Sequence, residues 1–165
     1  MARAAVGGTF EVLHKGHRAL LERAFGEGDP VLIGLTTDEM AMRTRDRKVK
    51  AYSGRERALR GYLRKAFPER EFEIVAISDE LGPAATMREL DVLVVSENTY
   101  GNGRRVNEAR RRRGLKRLKL VRIPHVLADD GRPISSTRVL AGECDAEGRT
   151  KKRASPARAG RERAK

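Results

Sequence analysis

The chain has one cysteine, no tryptophan, three tyrosines and four phenylalanines in 165 residues. A lone thiol, Cys144, rules out an internal disulfide and fits a reducing, cytoplasmic setting. No histidine pairing is visible around it in the sequence, so it reads as a small residue just after a helix and not as a nucleophile. Aromatics at 4% offer few faces on which bases could stack, and they leave the core to Val, Leu, Ile and Ala. No segment reaches the roughly 18 consecutive apolar residues that span a bilayer, and no long apolar stretch marks the N-terminus as a secretory signal. Cytoplasmic localisation without a membrane partner is therefore expected. A GxxxxGK[ST] stretch is missing, which argues against a P-loop enzyme. Gly101-Asn102-Gly103 lacks the third glycine and does not follow the first strand, so it is no dinucleotide fingerprint.

What the chain has in excess is positive charge, +13 in total. The last fifteen residues, Lys151 to Lys165, carry seven basic side chains and one acidic one, with no Val, Ile, Leu or aromatic residue. Such a segment cannot bury enough surface to fold. The division expected is a domain over residues 1–148 and a basic, disordered tail over 149–165. Charge alone would give the tail salt-sensitive, nonspecific attraction to nucleic acid. A purely nucleic-acid-binding protein is the rival from a different class, and the shortage of aromatics and of any RNA-binding motif weighs against it.

Strands and helices alternate along the first 148 residues. Apolar runs suited to buried strands lie at Ala4–Val6, Val31–Leu35, Phe72–Ile77, Val92–Val95 and Leu118–Ile123, with helical stretches at Gly16–Phe25, Gly54–Phe67 and Gly103–Arg113. Gly114 is placed to end the last of these as a left-handed cap, and a short helix is expected from Ser135 to near Gly142. The pattern predicts an α/β fold: a single Rossmann-like domain with a parallel sheet of about five strands flanked by helices. Ligands of such sheets bind beyond the carboxyl ends of the strands, where strand order switches.

Two segments fall at that edge. Gly7-Gly8-Thr9-Phe10-Glu11-Val12-Leu13-His14-Lys15-Gly16-His17 follows the first strand and opens a helix, putting two imidazoles, a hydroxyl and helix-start amides around one point. Ile134-Ser135-Ser136-Thr137-Arg138 sets three hydroxyls and a guanidinium at the start of another helix. Ser135 to Thr137 could serve as N-caps alone, but two such signals in one short chain point to a polyphosphate. His14, His17 and Thr9 can donate to phosphate oxygens, while Gly7, Gly8 and Gly16 permit close backbone approach. Ser96 and Glu97 follow another strand and should face the same crevice. The third histidine, His125, reads as structural, and Arg110–Arg113 as a solvated helix end.

The paired motifs resemble the HxGH nucleotidyltransferase superfamily. Val31–Glu39, Val94-Val95-Ser96-Glu97, Asn107-Glu108-Ala109-Arg110 with Gly114-Leu115, and Asp129–Arg138 extend the resemblance to the archaeal-type phosphopantetheine adenylyltransferases over roughly residues 4–148. Asn98 stands where that pattern usually shows a second acid. The resemblance implies adenylyl transfer from ATP to 4′-phosphopantetheine, giving dephospho-coenzyme A and pyrophosphate in coenzyme A biosynthesis. It assigns catalysis to His14, His17 and a lysine, which charge crowding in Arg43–Lys50 leaves between Lys48, the first choice, and Lys50. Nucleotide binding falls to Gly8, Thr9, Phe10, His17, Ser96, Glu97, Ser135, Ser136, Thr137 and Arg138, and acceptor binding to Thr9, Lys48, Lys50 and Arg55. Mg²⁺ is expected with ATP, with no dedicated protein metal site, and a monomer or small assembly is implied. Cytidylyltransferases of glycerol or ethanolamine phosphate and FMN-forming adenylyltransferases share both motifs and stay open as alternatives.

Overall fold

A computed structural model describes residues 2–151. It contains five strands, β1 (Ala4–Gly8), β2 (Val31–Thr36), β3 (Phe72–Ile77), β4 (Val92–Ser96) and β5 (Lys119–Ile123), and five α-helices, α1 (Lys15–Glu27), α2 (Asp38–Arg43), α3 (Tyr52–Ala66), α4 (Tyr100–Arg112) and α5 (Ser136–Leu140). All strand pairs are parallel, and their order is β3-β2-β1-β4-β5.

The side-chain alternation of the strands builds two cores, one on each face of the sheet. Ala4 and Val6 of β1, Val31, Ile33 and Leu35 of β2, and Val92 and Val94 of β4 pack with Leu21 and Phe25 of α1 and Leu59 and Leu63 of α3. The alternate residues, Ala5, Leu32, Leu93 and Val95, pack with Val106 of α4 and with Ala84 in a single 3₁₀ turn at Pro83–Ala85. Both faces are covered, as the unbroken apolar runs of the central strands require. Gly114 ends α4 at φ 69°, with Leu115 N–H donating to the Arg110 carbonyl and Gly114 N–H to that of Arg111, the six-to-one and five-to-two bonds of a Schellman cap.

Two features depart from the sequence expectation. Helix α2 was not foreseen, although Thr37 caps it by accepting from Met40 N–H and Asp38 and Glu39 occupy its first turn. Helices α3 and α4 also start two and three residues earlier than expected, at Tyr52 and Tyr100. The segment read as a disordered tail lies, from residue 152 onward, outside the described residues. Thr150, which was assigned to that tail, is tied to Asp129 through both its amide and its hydroxyl.

Strand order reverses between β1 and β4, since the chain runs outward through β2 and β3 and then returns to the other side of β1. The crevice at the carboxyl ends of these two strands is flanked by Gly8 and Ser96. There the open α/β fold places its ligand.

Candidate active site

The loop from β1 into α1 is built around two rings. Past Gly8, Phe10 takes a positive φ of 47° and buries its ring in the core, leaving it 1% exposed. Burial of the ring offsets a backbone conformation that bulky residues rarely adopt. Phe10 therefore reaches the site only through its backbone, and its ring supports His17 from 5.1 Å. His14 is the N-cap of α1: its Nδ1 accepts from the amides of Gly16, at 3.0 Å, and His17, at 3.3 Å. The His14 ring folds over Gly16 so closely that a Cβ there would lie 2.9 Å from it. The glycine between the histidines makes room for the first imidazole, where the sequence reading had assigned it to the ligand. Lys15 N–H donates to the Ala146 carbonyl and Arg18 N–H to that of His14. The opening amides of α1 are thus all engaged, contrary to the expectation that they would be free for an anion.

Hydrogen-bond partners assign the tautomers. His14 Nδ1 accepts, so its proton sits on Nε2, where it can be donated. His17 Nδ1 lies 2.7 Å from the Val12 carbonyl, which can only accept, so Nδ1 carries the proton and the neutral ring has a bare Nε2. The rings stack at 3.8 Å. Burial, together with Arg18, pushes the His14 pKa down to about 4, and burial together with His14 pushes that of His17 down to about 3. Both imidazoles are neutral at pH 7. The expectation that both donate to phosphate needs amending: His14 can do so as it stands, and His17 only after gaining a proton.

The second motif meets the first at a single residue. Val12 N–H donates to Ser136 Oγ at 3.2 Å, and the Val12 carbonyl receives His14 N–H, His17 Nδ1–H and, at 3.4 Å, the Ser136 hydroxyl. The backbone of one residue therefore sets the position of both rings relative to α5. Ser135 caps α5 by accepting from Arg138 N–H. The amides of Ser136 and Thr137 have no acceptor among the described residues, so free helix-start donors exist here and not in the histidine loop. Arg138 is 9% exposed and bonded to the carbonyls of Arg132 and Pro133 and to the carboxylates of Asp130 and Glu143. It organises the loop before α5, with most of its donors engaged within the protein.

Arg55 is likewise engaged within the protein. It is 1% exposed, and its guanidinium donates to the carbonyls of Lys50 and Thr9, to the Thr36 hydroxyl and to Asp38. It is a buried strut beneath the site. Thr9 lies directly above, its hydroxyl 3.1 Å from that of Thr36. Lys48 and Lys50 are both exposed and flank the buried Val49, so burial fixes neither ammonium. Ser96 closes a local turn with Thr99, and Glu97 sits 3.8 Å from Arg122 of β5, which itself lies over the Tyr100 ring.

Sequence reasoning missed Glu11, Val12, Thr36 and Arg47. Glu11 had a signal in hindsight, as the only carboxylate between the glycines and the histidines. Val12 had none, since it acts through its backbone. No group of three or more His, Cys, Asp or Glu suited to a metal occurs among the described residues. No helix among them is long and apolar enough to cross a membrane.

A cytidylyltransferase-like family model matches residues 5–142. The phosphopantetheine adenylyltransferase of Methanosarcina mazei is 42% identical over 158 residues, covering 93% of this chain and 100% of that protein. The bifunctional phosphopantetheine adenylyltransferase/NTP phosphatase of Thermoplasma volcanium is 45% identical over 144 residues, 87% of this chain, and the match spans only 43% of that relative's length. Among solved structures, a protein of unknown function from Archaeoglobus fulgidus superposes with a TM-score of 0.67 at 33% identity, covering 73% of this chain and 88% of that one.

Proposed function

The chain belongs to the cytidylyltransferase-like family, and from that premise we propose that it transfers the adenylyl group of ATP to 4′-phosphopantetheine. The acceptor choice rests on the relatives, above all the Methanosarcina protein of that name, which the chain matches along its whole length. The reaction class rests on one observation: the Val12 backbone joins the histidine loop to the start of α5 at the strand switch point.

In this reading an oxygen of the acceptor phosphate forms a bond to the α-phosphorus while the bond from that phosphorus to the β-phosphate oxygen breaks, and its electron pair leaves with pyrophosphate. The acceptor is already anionic at neutral pH and needs no general base. Catalysis then rests on positioning and on donors aimed where charge grows. His14 Nε2–H is one such donor without any change of state. His17 becomes a second by taking up a proton as the triphosphate approaches, since a nearby polyanion favours the charged imidazole. Thr137 Oγ1 and the free amides of α5 face the same task for the outer phosphates. Gly8 and Thr9 border the crevice from β1 and Ser96 from β4, while Lys48 or Lys50 supplies a mobile cation. Glu11 and Asp38, two carboxylates beside the histidine loop and the α2–α3 loop, are held by Arg47 and Arg55. Mg²⁺ would therefore arrive on ATP, where it neutralises phosphate charge. The buried, unpaired Cys144 fits a reducing cytoplasm.

The test is pyrophosphate release by the purified protein with Mg²⁺ and ATP or CTP against a panel of phosphorylated acceptors. Release dependent on 4′-phosphopantetheine, with dephospho-coenzyme A formed, is the expected result. Release with a different acceptor would keep the mechanism and replace the substrate. No release with any pair, from folded protein, would overturn the reading.

A further inference from the structure

Arg47 lies in the loop between α2 and α3, and its guanidinium touches both motifs at once. One terminal nitrogen is 2.7 Å from Glu11 Oε1 and 3.1 Å from Thr137 Oγ1, and the other donates to the Lys48 carbonyl at 3.3 Å. The Glu11 side chain is 1% exposed. Its second oxygen accepts from Lys50 N–H at 2.8 Å, so a single carboxylate fastens the loop on both sides of the buried Val49. Burial works against the Glu11 charge, yet Arg47 and the Lys50 amide outweigh it and hold the carboxyl below its usual range. Arg47 is thereby aimed, not free to swing.

The charges around this point do not balance. Arg45 and Arg47 both act on Glu11, and Arg55 lies close enough to add to the positive field at Arg45. Arg55 is matched by Asp38, which leaves two guanidiniums to one carboxylate. The Nε atoms of Arg45 and Arg47 are buried with no acceptor. Burial, and then Arg47, lowers the pKa of Arg45. Unpaired buried donors next to surplus positive charge are unfavourable unless an anion completes them. The Thr137 hydroxyl accepts from Arg47, so its own proton remains available to donate toward the same space.

We propose that Arg47 is a polyphosphate-contacting residue, gripping the outer phosphates of the nucleotide from the side of the α2–α3 loop, and that buried Glu11 is its positioning residue. The inference rests on the nucleotidyltransferase reading. A planar fork suits the role better than an ammonium, because it can bond phosphate oxygens while keeping its contacts to Glu11 and Thr137.

The experiment is calorimetric titration of the full chain with inorganic pyrophosphate, and separately with adenosine, for the native protein and for Arg47→Ala, Arg47→Lys, Glu11→Gln and the Arg47→Ala/Glu11→Gln pair. Arg47→Ala should weaken pyrophosphate binding by roughly 10–100-fold and leave adenosine binding unchanged, as expected for loss of a charge-assisted contact. Glu11→Gln should weaken it less, and should add nothing once Arg47 is gone, because its role acts through that residue. Arg47→Lys should keep the fold and recover only part of the affinity, and it decides the matter if Arg47→Ala does not fold. Unchanged pyrophosphate affinity in either folded Arg47 variant, equal losses for pyrophosphate and adenosine, or full additivity of the pair would each overturn the proposal. Native protein that binds pyrophosphate but transfers nothing would sink the enzyme reading and leave the Arg47 contact standing.

Discussion

A histidine at the head of a helix has two jobs here, and its two ring nitrogens separate them. His14 Nδ1 caps α1, which leaves Nε2–H as the ring's remaining donor. Asparagine is among the best N-caps and can accept the same amides, but it has no second donor on the far side. His14→Asn should therefore unfold within a few degrees of the native protein and lose about 10²–10³ in turnover, the usual loss for one transition-state donor. His14→Ala should lose the turnover and about 1 kcal/mol of stability besides. Melting temperature and pyrophosphate release, measured on both, check the split; equal melting of the two variants would remove the capping role. The same rings set an acid sensitivity. With folded pKa values of about 4 and about 3 against 6.5 in the unfolded chain, the unfolded state binds more protons between pH 3 and pH 6.5. Stability should rise with pH across that window and level off above it, the pair contributing at most several kcal/mol. His17→Asn, whose amide can still donate to the Val12 carbonyl, should flatten that slope, and an unchanged slope would show that other groups set it. Both histidines were legible from their spacing, whereas their proton positions depend on contacts to Val12 and Gly16 that only folding creates.

At the scale of the element, residue type and periodicity told less than burial does. The three central strands were legible because buried parallel strands need unbroken apolar runs, and the edge strands β3 and β5 from shorter apolar stretches broken by Glu73 and Arg122. Helix α2 was not, because six residues carry too few turns for a periodic signal. Along α3 the sequence shows Arg55 and Arg57 two positions apart with nothing to rank them. In the fold Arg57 is exposed and Arg55 is the strut joining α3 to the carbonyls of Thr9 and Lys50 and to Asp38. Arg55→Met removes the bonds to the part-buried carbonyls of Thr9 and Lys50 and the pairing of half-exposed Asp38, at a cost of about 1–3 kcal/mol, and lets the α2–α3 loop drift from the histidine loop. Arg57→Ala should change stability by no more than about 0.5 kcal/mol. Urea unfolding of the two variants measures the difference; comparable midpoints would mean that the Arg55 contacts do not hold the loop. The sequence assignment of Arg55 to the acceptor said nothing of its depth, since charge can be read from a sequence and burial of a charged group cannot.

For the whole molecule, alternation of strands and helices was enough to foresee a doubly covered parallel sheet and a site at its switch point, because few connections join such elements. The course of the chain beyond α5 was not foreseeable, since it follows no periodicity. Residues 144–150 return across the first motif: the Ala146 carbonyl receives Lys15 N–H, Glu147 pairs with Arg18, and Thr150 bonds to Asp129. Cys144 packs with Ala128 and Ile134 in a small separate core beneath α5. This return segment braces both motifs at once, so the functional boundary should fall after residue 151 and not after Gly148. A chain ending at Lys151 should melt with the full-length protein and keep full adenylyl transfer, because every contact named above is retained. One ending at Gly148 loses the Thr150 bonds to Asp129, the Arg149 bonds to Asp145 and the bridge from Cys144 to Thr150; it should lose about 1–3 kcal/mol while still turning over below its melting temperature. The residues removed in both cases include most of the basic surplus of the last fifteen, so both truncations should leave a heparin column at lower salt than the full chain. Loss of turnover in the chain ending at Lys151 would instead put the basic segment at the site, and an unchanged melting temperature in the shorter one would show that Arg149 and Thr150 brace nothing.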